Sequence, residues 1–253
     1  MGHGHDHGRV ESRRALTVAL VLTASYTAVE VVGGIFAGSL ALLADAVHML
    51  SDNVALGLAL VAAWLATKPA TPERSYGYKR AEVLAALVNG VTLVALSIWI
   101  FVEAAMRLRD PGDVLGGWML AIAVVGLAVN VAAGVVLARA RSHSLNVEAA
   151  FRHVVADLLG SLGVAIAGIV IITTGWVEAD PLVSILIGVL ILASAWSILR
   201  DSTEILLEST PRGIDAAALG RRLASAHGVV EVHDLHVWTI TSGFPALSAH
   251  VLV

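Results

Sequence analysis

Six long apolar runs, each bounded by polar or charged residues, decide most of what this chain can fold into. They fall at about 15–36, 40–66, 81–105, 114–138, 147–174 and 181–199. A helix rises 1.5 Å per residue, so roughly 20 apolar residues cross the hydrocarbon core of a bilayer. Lipid offers the backbone no hydrogen bonds, and a helix satisfies its own. The breaks fit this reading. Gly38-Ser39 leaves room only for a tight turn, and Thr67 to Arg80 carries two prolines and five charges. Pro111 and Gly112 interrupt the third gap, and Glu178 and Asp180 lie in the last one. Only 14% of the chain is charged, against about 25% in soluble domains. A six-helix membrane protein is expected, with the bilayer as its solvent. The start of the chain has no signal-peptide core, so the first run is expected to be a retained span.

Basic residues set the direction of insertion. Arg9, Arg13 and Arg14 precede the first run, and Lys68, Arg74, Lys79 and Arg80 separate the second from the third. Arg139 and Arg141 follow the fourth, and Arg200, Arg212, Arg221 and Arg222 follow the sixth. The opposite side has Arg107 and Arg109. Both termini are therefore expected in the cytoplasm, with the protein in the plasma (inner) membrane. Residues 1–12 read as a flexible His-rich tail, 13–208 as the membrane domain, and 209–253 as a cytoplasmic α+β domain. In that last part Ile214 to Ala226 reads as an amphipathic helix, and Val229 to Ile240 and Ala246 to Val253 as strands joined by a turn at Thr241 to Pro245. The chain stops inside the second strand, so this domain is expected to be truncated.

Ionisable residues inside spans are costly and mark function or buried pairing. The second run holds His48 and Asp52, and the fifth holds His153 and Asp157. Each pair is spaced by four residues, which puts both side chains on one helix face. Two such faces brought together give two imidazole nitrogens and two carboxylate oxygens, a tetrahedral set suited to zinc. With no cysteine in the chain, a metal must be held by His, Asp, Glu or Asn. Asp45 lies on the same stripe as His48 and orients a ligand, coordinates directly, or serves helix packing. Glu30, Asn89 and Asn130 line a polar path or satisfy backbone. Glu103 stands four residues before Arg107 and is expected to pair with it. His3, His5 and His7 alternate with glycine or acid and would raise the local metal concentration. His233, His236 and His250 fall on the two terminal strands as a second candidate metal site, or as residues with no ligand.

The stretch Gly38 to Asp52, including Asp45-Ala46-Val47-His48, resembles the second-span signature of the cation diffusion facilitator family. Ser75-Tyr76-Gly77-Tyr78-Lys79-Arg80 is similar to its following loop, Leu145 to Asp157 to its fifth span, and His233-Asp234-Leu235-His236-Val237-Trp238 to its cytoplasmic domain. The resemblance implies a proton-coupled exporter of zinc and related divalent ions that forms homodimers. It also implies a ferredoxin-like cytoplasmic domain that binds metal as a regulatory ligand. The transport site it implies is His48, Asp52, His153 and Asp157, with zinc as the preferred substrate and cadmium a secondary one. Some members carry a further zinc site between spans two and three. Arg74 and Tyr78 stand at those positions here, and no metal site is expected in that loop.

Binding needs neutral imidazole and ionised carboxylate, so metal entry displaces protons, and the histidines are the natural carriers. No organic cofactor and no nucleic-acid partner is expected. An enzyme is not expected either. An intramembrane metalloprotease would want His-Glu-x-x-His and an open coordination position, and a haem protein would pair His with His. A metal-sensing or metal-storage membrane protein without net transport is the alternative, although a sensor needs no charged pairs inside the bilayer.

Overall fold

The computed structural model describes residues 4–140, 145–241 and 243–253. Six helices are long and apolar enough to cross a membrane: α1 (Gly4–Ala37), α2 (Leu40–Ala66), α3 (Ala81–Arg109), α4 (Gly116–Ala140), α5 (Leu145–Thr174) and α6 (Ala179–Leu206). A short helix α7 (Ala216–Ala224) and strands β1 (Glu231–Thr241) and β2 (Phe244–Leu252) follow. The number and order of spans agree with the apolar runs. Their ends do not all agree. Helix α1 begins at Gly4, so the backbone of residues 4–12, expected as a loose tail, is helical.

Helix α6 runs beyond position 199 because its polar end supports itself. Arg200 pairs with Glu204 at 2.9 Å one turn on, a spacing that stabilises a helix surface. The helix stops before Pro211, at a left-handed residue, Glu208 (φ 57°). Ser209 N–H donates to the Glu204 carbonyl and Glu208 N–H to that of Ile205, a Schellman termination. The turn between α1 and α2 ends its helix in the same way, with Gly38 at φ 66°. A Cβ there would stand 2.7 Å from the Asp113 carbonyl oxygen, so both the backbone angle and the close approach require glycine.

The chain divides into two compact units, Met1–Asn53 with Leu93–Ala193 and Val54–Thr92 with Ser194–Val253. In the first, α4 packs against both α1 and α5. Ala15, Ala19, Ala133, Leu137, Val147 and Val154 form a buried cluster there, and small residues let helices approach closely in lipid. Asp180, expected in a loop, is instead in the first turn of α6 and fully buried. Its carboxylate accepts from Leu40 N–H at 2.8 Å, Ala41 N–H at 3.1 Å and the Ser39 hydroxyl. It thereby satisfies the orphan donors that begin α2. Arg107 donates to the Gly38 carbonyl oxygen and pairs with Glu103 at 2.9 Å.

In the second unit β1 and β2 pair antiparallel, with His233 opposite His250. The connection is tighter than expected, since Thr241 pairs with Phe244 and Pro245 already lies in the strand. Asp215 caps α7 by accepting from Ala218 N–H at 3.0 Å, and α7 packs on β1. Arg80 pairs with Glu208 at 2.6 Å, the Lys79 ammonium sits 3.8 Å over the Phe244 ring, and Thr241 donates to Glu82. The last two contacts tie the hairpin to the start of α3, and the first ties that start to the end of α6.

Candidate functional site

His48 and Asp52 on α2 meet His153 and Asp157 on α5 within the first unit. Along each helix the four-residue spacing brings imidazole and carboxylate to 3.6 Å, His48 Nδ1 to Asp52 Oδ2 and His153 Nε2 to Asp157 Oδ2. Between helices His153 Nε2 stands 3.2 Å from Asp52 Oδ2, and His48 Nε2 4.0 Å from Asp157 Oδ1. The two rings lie 6.1 Å apart, centroid to centroid. Every carboxylate thus faces both imidazoles, and Asp157 is almost wholly buried.

Around a tetrahedral zinc with bonds of about 2.0–2.1 Å, neighbouring donors stand roughly 3.4 Å apart. The separations in this cluster bracket that value. Among the described residues no group of three or more His, Asp or Glu side chains is arranged so that it could hold a metal ion as it stands. His48 presents its two nitrogens to different carboxylates, whereas a metal takes only one of them. His48 Nδ1, Asp52 Oδ2 and Asp157 Oδ1 are buried and make no hydrogen bond among the described residues. Buried polar atoms left so are rare and costly.

Asp45 points elsewhere. Its Oδ2 accepts from Ser161 Oγ at 3.3 Å, and Ser161 in turn accepts from Asn130 Nδ2 at 3.2 Å. Glu30 and Asn130 are both fully buried, and Tyr26 Oη donates to Glu30 Oε1 at 3.1 Å. These residues were legible as polar positions in spans, but Ser161 and Tyr26 were not singled out. Ser161 falls one turn beyond Asp157 and Tyr26 one turn before Glu30, and a search of those stripes for hydroxyls would have found them.

On the hairpin the rings of His233 and His250 lie 5.4 Å apart. His236 Nε2 is 2.9 Å from Asp234 Oδ1, and His250 Nδ1 is 3.8 Å from Asp234 Oδ2. Asp234, which the sequence did not mark, has φ 56° at an irregularity in β1, and that bulge brings its carboxylate between two histidines. All four side chains are well exposed. The His3, His5 and His7 side chains lie outside the described residues. In the loop before α3, the Arg74 guanidinium stacks 4.4 Å from the Tyr78 ring.

The model of the cation efflux transmembrane domain matches residues 16–207, which takes in all six spans and the four gathered side chains. The chain belongs to the cation diffusion facilitator family. It is 45% identical over 260 residues to the zinc transporter ZitB of Escherichia coli, covering all of this chain and 83% of that one. It is 42% identical over 251 residues to the metal cation efflux system protein CzcD of Cupriavidus metallidurans, covering 99% and 79%. It is 41% identical over 255 residues to a cadmium, cobalt and zinc/H(+)-K(+) antiporter of Bacillus subtilis, covering 100% and 81%. Members of this family are membrane transporters and not enzymes, which removes the protease and haem readings.

Proposed function

We propose that the protein exports divalent metal, zinc first and cadmium second, by exchange with protons at His48, Asp52, His153 and Asp157. The observation that carries this is the convergence of the two helical pairs, with three buried donor atoms left without hydrogen bonds. Two neutral imidazoles and two carboxylates carry a net charge of −2, which a divalent ion neutralises. Nitrogen and oxygen donors in a set of four suit zinc better than harder cations. Protons compete for every one of these atoms, so an acidic outer medium releases the metal and drives export. The names of the relatives support zinc and cadmium as substrates and protons, named in one relative together with potassium, as exchanged ions. Both termini face the cytoplasm of a cell whose inner membrane holds a homodimer. The terminal histidines take metal as a regulatory ligand, and the His-rich start gathers it.

The test is zinc uptake into proteoliposomes with and without a pH gradient. Uptake that collapses with the gradient, and is abolished by Asp157→Ala, supports the reading. Uptake indifferent to the gradient removes the exchange mechanism, and uptake retained by Asp157→Ala removes the site.

A further inference from the structure

A second buried cluster lies beside the four gathered side chains, and hydrogen-bond accounting shows that it lacks donors. Its acceptors are the two carboxyls of Glu30 and Asp45, the Ile122 carbonyl and the Asn130 amide oxygen. Its donors are few. The Tyr26 hydroxyl has one hydrogen and stands 3.1 Å from Glu30 Oε1 and 3.2 Å from the Ile122 oxygen. It can serve only one of them at a time. The Ser161 hydroxyl spends its hydrogen on Asp45 Oδ2 and receives one from Asn130 Nδ2. Glu30 Oε2 and Asn130 Oδ1 are buried acceptors without a donor among the described residues.

The Glu30 and Asp45 carboxyls are also within hydrogen-bond reach of each other. Glu30 is 1% exposed, Asp45 2% and Asn130 0%, so bulk solvent does not reach these acceptors. Space is fixed as well. A Cβ on Gly126 would collide with the Tyr26 hydroxyl, so glycine there lets the ring reach Glu30. The titratable groups that bear on the pair are Tyr26 from α1 and Asp157 from α5, while α4 contributes only Asn130 and the Ile122 carbonyl. No basic side chain acts on it among the described residues. Two carboxylates in contact, out of water, cannot both keep their charge, and the missing donor is a hydrogen.

We infer that Glu30 and Asp45 hold one exchangeable proton between them and form a proton-binding site of the transport cycle, separate from the four metal-facing side chains. The inference rests on the transport reading above. Asp157 couples the two places, since it belongs to the metal set and acts electrostatically on both carboxyls. When a dication settles beside Asp157, its field opposes a proton nearby. The carboxyl O–H bond breaks, the proton leaves to water, and the pair takes up a full second negative charge. When the metal departs to the other side, a proton from that side re-forms the O–H bond. One proton is released and one regained, and no electrons move.

The experiment is calorimetric titration of zinc into the full chain in lipid nanodiscs, using two buffers of different ionisation enthalpy, which counts protons released per zinc bound. Wild type and Glu30→Gln are compared, with Asp157→Ala as the control for the metal site. The expected result is about one proton fewer per zinc in Glu30→Gln, with zinc still bound. An infrared difference spectrum of the unaltered protein gives a second reading, in which zinc binding removes a protonated carboxyl band. An unchanged proton count in Glu30→Gln overturns the inference, as does a zinc affinity that depends on potassium in wild type and not in that variant. Zinc binding that survives Asp157→Ala undamaged defeats the transport site instead, and the two failures are distinguished.

Discussion

The protein carries two groups of histidine and aspartate, built from the same residue types and placed in opposite surroundings. On α2 and α5 the side chains lie on apolar spans, with Asp157 3%, His48 22%, Asp52 30% and His153 46% exposed. On the hairpin Asp234 is 56% exposed and its histidine partners more so. The distances are alike, from 3.2 to 4.0 Å in one group and from 2.9 to 3.8 Å in the other. Surroundings make the difference. Exposed pairs are screened and contribute little, about 0–1 kcal/mol, whereas buried polar atoms without partners demand one. The first group therefore has the stronger reason to capture an ion, and the second, open to water, exchanges one more readily.

Asp157→Ala gives the largest expected effect: zinc binding in the membrane group falls by more than the ~100-fold that outer-shell partners command, read by calorimetry. His48→Asp should lower zinc affinity by ~10-fold, because carboxylate suits harder ions than imidazole does. The same variant's affinity should also fall less on acidification than the wild type's, since one fewer imidazole gains a proton as pH drops. Asp180→Ala sharpens the comparison from another side. It removes a buried carboxylate that bonds backbone rather than metal, so thermal unfolding should show a loss of about 2–4 kcal/mol from orphaned N–H groups, with zinc affinity kept. His250→Ala should change transport by less than about 2-fold, as exposed pairs do. A large loss from this last change, in vesicle uptake, would erase the distinction between the two groups.

The two helical pairs were legible because four-residue spacing on a helix places side chains together whatever else the fold does. The spans were legible because lipid leaves so few alternatives. What escaped depends on packing between helices. Asp180 reads as one acid of a loop, and only the approach of α2 shows it capping that helix. Asp45 shares a stripe with His48, yet its partner is Ser161, 116 positions away. Asp234 reads as a solvated strand residue until a bulge turns it. The apolar run ends near 199, but α6 continues to Leu206 on a polar turn that the Arg200–Glu204 pair supports.

The central claim is that two imidazoles and two carboxylates inside the bilayer close on one metal ion. Zinc K-edge X-ray absorption tests it most directly, on a variant whose hairpin and N-terminal histidines are all replaced by alanine. The expected spectrum shows one zinc with two imidazole nitrogens and two carboxylate oxygens at about 2.0–2.2 Å, lost on Asp157→Ala. A spectrum without imidazole scattering, or one unchanged by Asp157→Ala, would contradict it.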